Sequence, residues 1–254
     1  MSTQVIAGKT SGAGILAGIH LLADAGLLGL GYYWLGVSES RTATLLWSAF
    51  LALVLVCLTC WLQGATFGTF RGAPVAEAFR QALRHLLPVL LVALAIAVLY
   101  GTLESWSEYS RQPAFQMASY LTLKLRKPVK PATVLRLFEG VFWLVRWMVL
   151  PVFLLPVFSG VAGRGWRGLG EIGRHGRAWR YWIAVPVLLA CALWLPFRIL
   201  GWSPHLRSFP MEMVSFTARL LAAYLLFVGA WLLLAFLTAG GRPLRSQSKS
   251  VVSP

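Results

Sequence analysis

Residues Thr42 to Phe70 read TATLLWSAFLALVLVCLTCWLQGATFGTF, and no charged side chain interrupts them. A helix crosses about 30 Å of hydrocarbon with about 20 apolar residues. Thr44–Leu62, inside this stretch, meets that requirement alone. Working outward, five more segments do so: Ala13–Leu35, Leu86–Leu103, Gly140–Val161 with Arg146 inside it, Tyr181–Leu200 and Leu220–Ala239. A closed barrel is the only other way to satisfy backbone polar groups in lipid. It needs short alternating strands, and these runs are continuous and rich in Leu, Ala and Val. The expected fold is therefore an all-α polytopic bundle of six transmembrane helices. Residues 1–239 form one domain, and the polar, Ser-rich 240–254 is a tail expected to be disordered.

Composition agrees. Of 254 residues, 58% are apolar and 12% charged, whereas soluble domains carry about 25% charged residues. Mean hydropathy is +0.70. These values exclude a disordered chain, a secreted disulfide scaffold and an ordinary cytosolic enzyme. Twenty-three basic residues against eight acidic ones give a net charge of +15. The bases fall mostly between apolar runs, where they meet anionic headgroups at about 1 kcal/mol each. No nucleic-acid module is visible, so lipid and not nucleic acid is the expected partner. Trp34, Trp47, Trp61, Trp182 and Trp202 lie near span ends, as interfacial rings do.

The N-terminus imitates a signal peptide through Lys9 and Ala23-Asp24-Ala25. The apolar run resumes at Gly26, so an uncleaved first helix is expected. Lys and Arg slightly favour the side holding the N-terminus, the second and fourth connections and the tail. Both termini are thus expected in the cytoplasm of a multi-pass cell-membrane protein. The Lys124-Leu-Arg126-Lys127-Pro128 run opposes that orientation. Glu77-Ala-Phe-Arg80-Gln-Ala-Leu-Arg84 before Pro88-Val-Leu-Leu has an echo in Glu171-Ile-Gly-Arg174-His-Gly-Arg177 before Pro186-Val-Leu-Leu. Both read as basic amphipathic segments lying at the interface before a span.

The helix count, with Arg177-Ala-Trp179-Arg180-Tyr-Trp182 running into Pro186-Val-Leu-Leu, resembles the YciC-like group of bacterial six-helix membrane proteins. It also resembles the membrane domain attached to some glycerophosphodiester phosphodiesterases. A bacterial inner membrane is the setting this resemblance implies. It carries no catalytic residue over, because the phosphodiesterase domain has no counterpart in these residues.

Ionisable groups inside the bilayer are functional candidates by default. His20 and Asp24, four apart, share a helix face. Asp24 lies near the middle of the first span, and Arg146 lies in the fourth. Two arrangements stay open for an intramembrane polar site, an Asp24–Arg146 pair at shared depth or an Asp24–His20 pair. Against them stands Arg146 snorkelling to the interface. Gly14, Gly18, Ala25, Gly29 and Gly36 form a small-residue stripe that allows close helix approach, which places the first helix inside the bundle. Cys57 and Cys60 have C-x-x-C spacing without a nearby His or acid, so they read as inert thiols. His85, His175 and His205 fall at ends or in loops, leaving no second haem ligand beside His20. Ser159-Gly160 imitates a rhomboid nucleophile, but the last span offers no His as its base. No cofactor and no metal is expected.

Arg164, Arg167, Arg174, Arg177 and Arg180, interleaved with Trp166 and Trp179, form a candidate headgroup or anion contact. The functional expectation is a non-enzymatic integral membrane protein with a transport-related, assembly or subunit role. The alternatives are a transporter or channel with its site at Asp24 and Arg146, and a lipid-active enzyme using the arginines and Glu171.

Overall fold

The computed structural model describes residues 2–38, 40–172, 178–204 and 208–239. No strand occurs among them. Helix α1 (Ser2–Leu35) is followed by α2 (Thr42–Phe70), α3 (Val75–Arg84), α4 (Leu86–Tyr109), α5 (Arg111–Leu125) and α6 (Pro131–Leu144). Then come α7 (Leu150–Arg164), α8 (Trp179–Leu189), α9 (Leu195–Gly201) and α10 (Phe209–Ala239).

Six continuous rods are long and apolar enough to span a membrane: Gly14–Leu35, Thr42–Phe70, Leu86–Tyr109, Pro131–Glu171, Trp179–Gly201 and Phe209–Ala239. At most 28% of any rod's apolar window is buried inside the protein. Leu22 and Tyr32, for example, are 80% and 82% exposed. Such surfaces are stable in hydrocarbon and not in water. The chain is an all-α, multi-pass membrane protein.

The fourth and fifth rods are each built from two helices joined by a π turn. Val145–Val149 links α6 to α7, and Ala190–Trp194 links α8 to α9. Each turn is followed by Leu-Pro, Leu150-Pro151 and Leu195-Pro196. A proline ring collides with the carbonyl four residues back, and a widened turn relieves that crowding. In the first, Leu150 N–H reaches Val145 O, which strips Arg146 O of its ordinary partner. Tyr100 Oη–H from α4 donates to Arg146 O at 2.9 Å.

Two segments differ from the sequence expectation. The connection after α4 contains α5, whose Ala114 and Ala118 pack on Val134 of α6. Helix α3 folds back along α2, so it runs along the axis of that span and not across it. A Cβ at Gly64 would sit 3.1 Å from Ala82 Cβ, and one at Gly68 would sit 3.1 Å from Ala78 Cβ. That descending order is antiparallel small-residue packing. Trp61 Nε1–H donates to Phe79 O at 2.9 Å across the same contact. Glu77, Arg80 and Arg84 stay exposed on its outer face. Of the Glu171 segment only its first two residues are described, and there the acid differs from Glu77. Glu171 is buried, and residues 173–177 lie outside the described part, as does the polar tail.

Candidate functional site

The inward face of α1 runs through Leu16, His20 and Asp24, all buried. Spacing of four keeps them in one line along the helix. His20 has no exposed surface; its Nδ1 lies 2.9 Å from Asp24 Oδ2 and its Nε2 lies 2.7 Å from Thr66 Oγ1 on α2. Thr66, also fully buried, donates its hydroxyl hydrogen to Leu62 O at 2.8 Å. From α10, Tyr224 Oη–H donates to Leu21 O at 2.6 Å. Near the other end of α1, Trp34 Nε1–H donates to Ser48 O and Oγ, both at 3.0 Å. These bonds attach α1 to its neighbours and fix its rotation.

The arrangement has the order carboxylate, imidazole, hydroxyl, which is that of a nucleophile-activating relay. Thr66 is sealed from any substrate, and its hydroxyl lies within reach of Leu62 O as well as of His20 Nε2. The chemistry available is proton holding and helix fixation.

A second polar cluster lies at the end of α2. Thr66 is five residues, about 7.5 Å of helix rise, from Arg71. Arg71 Nη2–H donates to Glu171 Oε2 at 2.9 Å and to Ser159 Oγ at 3.0 Å. Arg164 binds the other carboxylate oxygen of Glu171. Glu171 reaches this position because Gly165, at φ +60°, reverses the chain after α7. A 3₁₀ helix from Gly165 to Glu171 then lies back against α7. A Cβ at Gly168 would stand 2.1 Å from Gly160 C, so backbone meets backbone there. Nearby, Gln81 Nε2–H donates to Gly163 O at 2.8 Å and His85 Nδ1–H to Ala162 O at 3.1 Å. Among the described residues, no buried side-chain nitrogen or oxygen lacks a partner.

Of the two pairings left open for Asp24, the structure forms the one with His20. Arg146 is bound by Glu104 of α4. Sixteen residues, about 24 Å of helix rise, separate Arg146 from Ala162, whose Cβ lies 3.8 Å from where a Gly64 Cβ would be. Arg146 is therefore at the far end of the bundle from Asp24. The small-residue stripe also departs from expectation. Cβ atoms built at Gly14, Gly18 and Gly29 meet nothing within 4 Å, and Ala25 is exposed. The stripe faces outward while the His20 face packs on α2 and α10, because the polar bonds decide the helix rotation.

The arginine set divides similarly. Arg164 is held by Glu171, whereas Arg167 and Arg180 are exposed, with Arg180 5.9 Å from the Trp179 ring. Arg174 and Arg177 lie outside the described residues. Cys57, Cys60 and Cys191 are free thiols. Among the described residues, no group of three or more His, Cys, Asp or Glu could hold a metal. Ser159 accepts from Arg71, a guanidinium that cannot act as a base.

Thr66, Arg71 and Tyr224 escaped the sequence reading. Arg71 carried one signal, as the first charge after the uncharged stretch. The Glu104–Arg146 pair is half open to its surroundings, Glu104 being 57% exposed in its side chain. Such pairs contribute at most about 1 kcal/mol. Glu104→Gln is expected to leave detergent-state melting within about 1 kcal/mol of the parent; a larger loss would make the pair structural.

No family model, curated protein or solved structure matches this chain.

Proposed function

We propose that the chain is a non-enzymatic membrane protein whose role is assembly, as a subunit or scaffold for other membrane proteins. The observation that supports this reading is the division of α1. Its polar face is wholly committed inside the bundle, and its Gly14, Gly18, Ala25 and Gly29 face is left open. In lipid, small residues let a second helix approach closely, so the fitting occupant is an apolar transmembrane helix of a partner. Arg167 and Arg180, with exposed Trp166 and Trp179, would contact anionic headgroups at the same end. The slight Lys and Arg excess supports an orientation with both termini cytoplasmic, and the resemblance to bacterial six-helix proteins supports a bacterial inner membrane as the setting.

Gly18→Leu and Gly29→Leu test the reading. Nothing occupies the space they fill, so stability should change by no more than about 0.5 kcal/mol. Native mass spectrometry of membranes extracted without harsh detergent should show the parent with bound protein partners and the variants without them. Identical partner sets in parent and variants would remove the assembly role from this face. A second reading, a transporter, is favoured by one observation, the buried His20–Asp24 pair in an apolar span.

A further inference from the structure

The donors around His20 fix how many protons the cluster holds. Thr66 has one hydroxyl hydrogen, and we assign it to Leu62 O, 2.8 Å away, by the back-bond to the i−4 carbonyl that threonine makes inside a helix. Oγ1 therefore meets His20 Nε2, at 2.7 Å, as an acceptor, and Nε2 carries a hydrogen. A neutral imidazole protonated on Nε2 has a bare Nδ1. That atom lies 2.9 Å from Asp24 Oδ2. If Asp24 were an ionised carboxylate there, lone pair would face lone pair and an unbalanced negative charge would sit in an apolar bundle. Both consequences are costly. One additional proton between the two atoms removes both at once. It gives either imidazolium with carboxylate or imidazole with carboxylic acid, and each has zero net charge.

We propose that His20, Asp24 and Thr66 form an intramembrane proton-binding site that holds one proton between His20 Nδ1 and Asp24 Oδ2. The proton comes from hydronium, leaving water. The groups facing the pair do not supply it: Thr66 on α2 has committed its hydrogen, and Tyr224 on α10 donates to Leu21 O. The nearest cation along α2, Arg71, is engaged by Glu171 and Ser159. The His20 ring that shares this proton also makes the bond from α1 to Thr66 on α2, so loss of the proton sets two lone pairs against each other within α1, beside that bond, and loosens α1. The proton is thus a ligand of the α1–α2 junction, a role beyond the assembly reading and independent of its partner.

The full chain, labelled with ¹⁵N at histidine and held in lipid nanodiscs, tests this, with His20→Gln identifying the His20 signals. Nitrogen spectra should show a hydrogen on Nε2 and a proton shared between Nδ1 and Asp24. Infrared spectra should place that proton on one partner or the other. In Asp24→Asn the amide N–H can donate to a bare Nδ1 while Nε2–H keeps Thr66. That variant should retain folded yield within about twofold and lose the shared-proton signature. His20→Gln leaves a buried carboxylate without its partner and should lower folded yield at least about tenfold. His20→Gln combined with Asp24→Asn should recover much of that loss. A bare Nδ1 beside an ionised Asp24 in the parent would overturn the proposal. So would a bare Nε2 with Thr66 as donor, or a double variant no better than His20→Gln.

Discussion

Gly168→Ala is expected to release the 3₁₀ segment from α7 and to cost about 3 kcal/mol, toward the upper end for overpacked sites. The added Cβ would stand 2.1 Å from Gly160 C, 2.2 Å from Gly160 O and 2.3 Å from Val161 N. All three are backbone atoms of a packed helix, so no rotamer change can make room. The segment must lift, and Glu171 must leave Arg71 with it. Gly170→Ala is the control, because a Cβ there meets nothing within 4 Å. Thermal melting in detergent, read by loss of a single size-exclusion peak, should separate the two variants. Equal stability would mean that the close approach of Gly160 and Gly168 is not needed to hold the segment.

Glu171→Gln is the second large effect. The carboxylate is 8% exposed, and it separates two guanidinium groups from α2 and α7. Removing one partner of a buried ion pair costs about 3–5 kcal/mol. Arg164 is 49% exposed and water or headgroups can take up part of its charge, which brings the expectation to about 2–3 kcal/mol. Arg71→Met together with Glu171→Leu removes the charges on both sides and should recover most of the loss, as apolar replacement of buried pairs does. If the double variant were as unstable as Glu171→Gln, the cluster would be contributing geometry that apolar contact does not supply.

The spans were legible because apolar length is a local property. Their ends were less so. Helix α10 begins at Phe209, well before Leu220, since Glu212 and Arg219 lower the local hydropathy without stopping the helix. In the same way Arg136 and Glu139 hid the start of the fourth rod at Pro131. The His20–Asp24 contact was readable from spacing alone. Its partner Thr66 was not, because a threonine in an apolar helix carries no mark of which face it shares with a residue far along the chain. Asp24 and Arg146 were expected at equal depth from span midpoints. The fourth rod starts as early as Pro131, and Arg146 lies about 24 Å of helix rise before Ala162, so its arginine sits well away from the level of Asp24. The glycine stripe on α1 was read as an inner seam because composition shows where backbones can approach, not which way the helix is turned.

The paired π turns have a consequence for how the fourth and fifth rods can change. Each turn holds one residue more than α-helical winding needs, which advances every side chain beyond it by about 100°. Deleting a single residue within 190–194 would let the rod wind evenly, yet it would swing Pro196, Phe197 and Arg198 to a new azimuth. Arg198, 5.5 Å from the Trp194 ring, would swing together with that ring, because both side chains lie beyond a residue excised at 190–193. These rods therefore tolerate substitution along their length more readily than any change in residue count, and the phase offset is as much a property of the architecture as the helices it joins.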